Sequence, residues 1–325
     1  MSSCFSRRFL RAAMLLVATG VIGLVLASGR SGADPTAVAP TPDVSRPLSV
    51  AACDSADESP RTREFTLRLA RPEGPRTALI RVPAGAAGRA APLVVAFHGG
   101  GASGRFMMGY SGLARVSDRA GFIAVFPDAT GAHRFWNLNA TTGPDDVGFA
   151  EALIERVATV ACVDPGRVFA VGVSNGGGLA ARIGCELSER VAGIVVVAGG
   201  FGRLPACHPR RPVSVLEIHG SDDGSVPYRG DPEDGHAGDV RAWLAGWAHR
   251  DGCAGAGPPR RVAPRALRTD WRGCGENSAL AHIEVLGGGH QWPGATPPDP
   301  GPASTFSAAQ QAWAFLAPLR APRAG

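Results

Sequence analysis

The chain contains no lysine, so its net charge of +5 over 325 residues comes from arginine alone. Those arginines stand singly or in pairs such as Arg210-Arg211 and Arg260-Arg261, scattered along the chain rather than gathered into one basic and aromatic cluster. Nucleic-acid binding is therefore not expected, because a phosphate backbone is recognised by a concentrated basic face. No C-x-x-C motif occurs and no histidine sits at zinc-finger spacing from a cysteine, so neither a structural metal nor a cofactor is expected. No fixed-period repeat is present, which sets solenoids and propellers aside. The apolar run over residues 12–27 is 16 residues long, short of the ~20 that span a bilayer comfortably.

That run follows Arg7, Arg8 and Arg11 and precedes small residues, which predicts a cleaved signal peptide over residues 1–33 rather than a retained anchor. Arg7-Arg8 leaves the export route open between the general and twin-arginine pathways. Residues 34–50 are rich in Pro, Ala, Ser and Thr and predict a disordered linker. Residues 51–320 then form one catalytic domain, and no stable membrane anchor is expected after cleavage. Six cysteines follow the signal segment, an even number in a chain bound for an oxidising compartment, so disulfides are expected. Cys253 and Cys274 flank a Pro/Arg-rich segment with little apolar content to hold it, and are predicted to pair. Cys185 with Cys207, and Cys53 with Cys162, are the further pairs expected, although spacing alone does not select them.

Short apolar runs bounded by Gly and Pro recur at residues 92–97, 122–126, 168–173, 193–198, 213–218 and 282–286, with edge-type strands at 66–69 and 77–82. Helical periodicity fills the gaps, as in Phe149/Leu153/Ile154/Val157 and Leu179/Ile183/Leu187. Strands alternating with helices imply an α/β fold with a mostly parallel sheet covered on both faces. Ligands in such sheets bind at the carboxyl ends of the strands.

The reactive residues sit at those ends. Gly172-Val-Ser-Asn-Gly176 has the G-x-S-x-G form, with a predicted strand before it and a helix after it. That context makes Ser174 a candidate nucleophile on a sharp turn whose flanking positions must be small. A serine hydroxyl needs a base, and His290, in Leu286-Gly-Gly-Gly-His-Gln-Trp-Pro-Gly294, follows the last predicted strand. The carboxylate belongs after strand 213–218, where Asp222 and Asp223 are both candidates from spacing. Phe97-His-Gly-Gly-Gly101 has the form of an oxyanion loop, offering the Gly100 N–H, while the Asn175 N–H opens the helix after the nucleophile. His98 reads as a residue that stabilises this loop. Trp136, Tyr228 and Trp292, on loops beside these segments, are expected to line the substrate site.

Together with Gly121-Phe-Ile-Ala-Val-Phe-Pro-Asp128, Val163-Asp-Pro-Gly-Arg-Val168 and His219 to Tyr228, these segments resemble the secreted esterase family of feruloyl esterases, acetyl xylan esterases and poly(3-hydroxybutyrate) depolymerase-like enzymes. The resemblance implies an α/β-hydrolase fold and an acyl-serine mechanism. It also implies that the acid is Asp223, the fifth position of H-G-x-x-D-x-x-V-P-Y. Expected substrates are feruloyl or other aryl esters, or acetyl esters, of plant polysaccharide fragments. A hydroxybutyrate polymer or oligomer is the alternative, and a binding protein that lost catalysis is the reading from another class. The chain departs from many members in having Trp136-Asn-Leu-Asn-Ala-Thr-Thr-Gly143 in place of a Cys-rich loop.

Overall fold

The computed structural model describes residue 53 and residues 61–202, 204–231, 238–296 and 306–321. The expected signal peptide and linker lie outside the described residues. One unit, Pro42–Gly325, holds everything described below.

Among the described residues, eleven strands form one sheet. In chain order they are β1 (Arg63–Leu69), β2 (Arg76–Val82), β3 (Ala91–Phe97), β4 (Ile123–Pro127), β5 (Val163–Val173), β6 (Gly193–Val197), β7 (Ser214–Gly220), β8 (Gly255–Ala256), β9 (Arg260–Ala263), β10 (Ala266–Arg272) and β11 (Leu280–Val285). They lie in the order β1-β2-β4-β3-β5-β6-β7-β11-β10-β8, with β9 on β10. The six from β4 to β11 run parallel, while β1, β2 and β10 are antiparallel to their neighbours.

Strand pleating explains why the parallel runs are apolar throughout. In β3, Leu93, Val95 and Phe97 enter one core and Val94 and Ala96 the other, because successive side chains point to opposite faces. Helices α3 (Asp146–Ala158), α4 (Asn175–Glu186) and α5 (Val240–Arg250) cover the first face. Helices α1 (Gly104–Ser111), α2 (Leu113–Ala120) and α6 (Ala308–Leu316) cover the second.

Two features differ from the sequence reading. The segment between Cys253 and Cys274 forms β8, β9 and β10, with β10 extending the sheet beside β11. Its residues are mostly half-exposed and polar, so the ladder rather than apolar burial places them. The helix whose periodicity is read from Phe149 starts earlier, at Asp146, and is capped by Asp145, which accepts from the Gly148 N–H at 2.8 Å. Asp146 is inside the helix and fully buried, bound to Arg76 at 2.6 Å.

The cysteines pair as Cys53–Cys162, Cys185–Cys207 and Cys253–Cys274. Three disulfides fit an oxidising, extracytoplasmic compartment. Among the described residues no helix is long and apolar enough to cross a membrane.

Candidate active site

Strand β5 ends at Val173 and α4 begins at Asn175, leaving Ser174 alone on the turn with φ 56° and ψ −123°. A non-glycine residue there is strained and persists only if its surroundings fix it. The Ser174 N–H donates to the Val197 carbonyl at 2.9 Å, and its own carbonyl accepts from Gly178 at 3.1 Å. The flanking glycines are required by crowding. A Cβ at Gly172 would strike the Gly176 carbonyl, and one at Gly176 would strike the carbonyls of Phe97 and His98.

The loop after β3 lies against this turn, close enough that a Cβ on Gly99 would come 3.5 Å from the Ser174 Cβ. Buried His98 holds the loop. Its Nδ1–H donates to the Gly99 carbonyl at 2.7 Å and its Nε2 accepts from the Ala129 N–H at 3.1 Å. Burial lowers its pKa, which suits the neutral ring this pattern needs. Asn175 occupies the first turn of α4, where an N–H has no intrahelical partner and remains free to face a ligand. Its side chain clamps Trp136, accepting from the Trp136 N–H at 2.7 Å and donating to the Trp136 carbonyl at 3.0 Å.

Across the cleft, His290 Nδ1 lies 2.8 Å from Asp223 Oδ2. Asp223 Oδ1 accepts from the N–H groups of Ser225 and Val226 at 2.9 and 2.8 Å. Burial alone would raise this carboxyl. Hydrogen bonds from His219, His290 and the Val226 N–H outweigh it and hold Asp223 well below the usual carboxylate range. Asp222 is exposed and turns the other way, its carboxylate accepting from Ser221 Oγ at 2.8 Å. Gly220 at the end of β7 lets the loop before His290 approach, since a Cβ there would strike the Gly288 carbonyl.

Two clefts meet at Ser174. One, of about 590 Å³, is lined by Gly99, Gly100, Phe106, Tyr110, Arg134, Ser174 and His290 among others. The second, of about 510 Å³, is lined by Phe135, Leu138, Ser174, Asn175 and Val226 among others. Of the three rings expected to line the site, all are buried: Trp136 borders the second cleft, whereas Tyr228 and Trp292 lie outside both. Trp136 is 2% exposed, donates through Nε1 to the His98 carbonyl at 2.8 Å and meets Phe97 edge-on. Its contribution to the second cleft is therefore not an open ring face. Tyr228 binds His282 through its hydroxyl at 2.8 Å and borders a separate cleft of about 340 Å³. Trp292 is 1% exposed in the core on the α6 side.

The correction has a physical reason. A loop tryptophan contributes more by burying its ring than by waiting for a ligand, and each of these sits where neighbouring segments cover it. The exposed aromatic residues at the clefts are Phe106 and Phe135, with Tyr110 stacked on Phe106 at 4.9 Å. Two large apolar residues in polar contexts, Gly104-Arg-Phe106 and His133-Arg-Phe135, were the signal that could have found them.

Sequence reasoning also passed over a buried polar row behind Asp223. Glu217 and His219 alternate on β7 and share one face, with His282 beside them on β11. Two ionisable residues at i and i+2 inside an otherwise apolar strand were the available signal.

A parallel sheet with a strained serine after its fifth strand, an acid after the seventh and a histidine after the last defines a hydrolase of the α/β class. The family described as "Esterase PHB depolymerase" matches over residues 77–206. A protein of Nocardia uniformis subsp. tsuyamanensis, "Putative esterase NocK", is 31% identical over 85% of this chain and 88% of its own length. The chain belongs to this esterase family, whose members hydrolyse carboxylic esters. Feruloyl esterase B of Piromyces equi is 28% identical over 66% of the chain, which spans only 42% of that protein. An acetyl xylan esterase from Aspergillus awamori superposes with a TM-score of 0.56, at 16% identity over 78% of this chain and 99% of that one, and shares the fold.

Proposed function

We propose that the chain is a serine carboxylic-ester hydrolase, exported by residues 1–33 and acting through a catalytic domain over residues 51–320. The observation that carries this reading is the strained Ser174 facing the same cleft as His290, whose Nδ1 lies 2.8 Å from the buried Asp223.

His290 Nε2 takes the hydroxyl proton as Ser174 Oγ attacks the ester carbonyl. The N–H groups of Gly100 and Asn175 stabilise the oxyanion, each such donor worth about 2.7–4 kcal/mol. The tetrahedral species expels the alcohol, which leaves with the proton from His290. Water deprotonated by His290 then releases the acid and regenerates Ser174. Asp223 holds the histidine in the tautomer that leaves Nε2 free to accept.

The substrates are small or oligosaccharide-borne esters, with feruloyl or other aryl acyl groups favoured over acetyl. Phe106 and Phe135 support this, because exposed rings beside a nucleophile can stack on a flat acyl group, and half-buried Tyr110 backs Phe106. The test compares kcat/KM on methyl ferulate, acetylated xylo-oligosaccharide and phenyl acetate with release from hydroxybutyrate polymer granules. Ser174→Ala is the control in every assay. Turnover of the soluble esters that vanishes in Ser174→Ala is expected. Rapid granule hydrolysis with negligible turnover of the soluble esters would overturn the substrate assignment.

A further inference from the structure

His219 is fully buried on β7 and both its ring nitrogens face acceptors only. Nδ1 lies 2.9 Å from Glu217 Oε1, while Nε2 lies 2.8 Å from the Val226 carbonyl and 3.3 Å from Asp223 Oδ2. A neutral imidazole carries one donor and one lone pair, so either tautomer would set a lone pair against an oxygen. With Glu217 ionised, as its contacts with His219 and His282 favour against the effect of burial, only the imidazolium satisfies both contacts. The second oxygen of Glu217 lies 2.6 Å from His282 Nδ1, and His282 Nε2 meets the Tyr228 hydroxyl at 2.8 Å. Charges therefore alternate along one buried row, with Asp223 negative, His219 positive and Glu217 negative.

We propose that His219 and Glu217 are positioning residues for the hydrolysis, a buried cation and its counter-ion that set the pH range over which His290 works as base. The inference rests on the triad reading above. Asp223 Oδ2 is shared between His290 Nδ1 at 2.8 Å and His219 Nε2 at 3.3 Å. A cation on that oxygen stabilises the ionised carboxylate and fixes its position. It also weakens the carboxylate's hold on a proton at His290, keeping that histidine available as a base at lower pH. Glu217 makes the arrangement affordable, because a buried imidazolium without an anion would shed its proton. Burial lowers the His219 pKa, but Glu217 and the bond to Asp223 push it up to about 10. The other groups around the row are accounted for. The Tyr228 ring meets His219 edge-on at 5.9 Å, His282 faces Glu217 from β11, and Arg241 and Glu284 act on Tyr228 from its far side.

The pH dependence of kcat/KM on phenyl acetate, followed by pH-stat, is the test, because it reports the free enzyme's essential base. Glu217→Gln/His219→Gln removes the near cation and the more distant anion together, avoiding a lone buried charge. Its acid limb is expected to move up by about one unit, with the plateau within about tenfold of wild type. An unmoved acid limb, or one shifted downward, would overturn the proposal. If the double variant does not fold, nitrogen-15 NMR of histidine-labelled wild type decides. His219 should carry two N–H protons at pH 8, and a single one would overturn the proposal. Ser174→Ala, measured in parallel, separates the two ideas. Retained activity there defeats the triad reading, whereas its loss alongside an unshifted double variant defeats only the role of His219 and Glu217.

Discussion

On the base side of Ser174, the segment bearing His290 rests on a row of buried ionisable groups, Asp223, His219, Glu217 and His282. On the oxyanion side, the loop after β3 and the start of α4 are held by neutral bonds among His98, Asn175 and Trp136, and by close backbone packing at Gly99 and Gly176. The contrast fits the roles proposed for the two sides. A proton-accepting group needs a field that sets its charge, and in a dry interior that field comes from nearby ions. An oxyanion needs fixed dipoles whose strength does not change with pH. The oxyanion side does have one buried ion pair, Asp146 with Arg76, but it stands behind the loop and acts as a fastener. Asp146 also accepts from the Asn137 N–H at 2.6 Å, tying the segment after Trp136 to α3.

The largest effects should come from breaking the base side at its reacting end. Ser174→Ala and His290→Ala are each expected to lower kcat on phenyl acetate by roughly 10⁵- to 10⁶-fold, and the double variant should be little worse, since the residues act as a unit. Additive losses would contradict a shared mechanism. One step back, Asp223→Asn should cost ~10⁴-fold in kcat by favouring the wrong histidine tautomer. Asp222→Asn, at an exposed carboxylate, should remain near wild type. The reverse ranking would place the acid elsewhere.

Smaller effects sharpen the other half of the comparison. Arg76→Met strands the buried Asp146 carboxylate and should cost about 3–5 kcal/mol in urea unfolding. Burial already pushes the Asp146 carboxyl up against the pull of the Asn137 N–H and Arg76. Losing the arginine raises it further. A folded-state pKa above the unfolded value loses its stabilising effect as pH rises, so the deficit should be larger at pH 8 than at pH 5. Asn175→Ala removes two bonds to the Trp136 backbone but keeps the N–H, so about 1–2 kcal/mol of stability should go. Its acid limb in kcat/KM should stay where it is in wild type. A moved limb there would mean that the two sides are not separate.

Ser174, His290 and the Gly99–Gly101 segment were legible because their requirements are local. A strand running into G-x-S-x-G, or into a histidine after three glycines, leaves its signature in consecutive residues. The carboxylate beside His290 was half legible: spacing left Asp222 and Asp223 open, the family pattern favoured Asp223, and a side chain at that position faces His290 only because the turn after β7 directs it there. The Cys253–Cys274 pair drew on segment composition, which is again local.

What only the tertiary structure decided are contacts between distant segments. Glu217 meets His282 because β7 and β11 are parallel neighbours, and nothing in either strand alone says that a histidine will face a glutamate across the ladder. Whether a loop aromatic is swallowed or left open depends on what packs over it, so Trp136, Tyr228 and Trp292 could not be told from Phe106 and Phe135 beforehand. The polar strands β8, β9 and β10 have the same origin, since β10 is ordered by pairing with β11 and its residues carry little apolar pattern. The sequence by itself determined the alternation of strands and helices and which polar residues stand at the strand ends. Burial and the pairing of charges belonged to the fold, because both depend on distances that a linear chain does not contain.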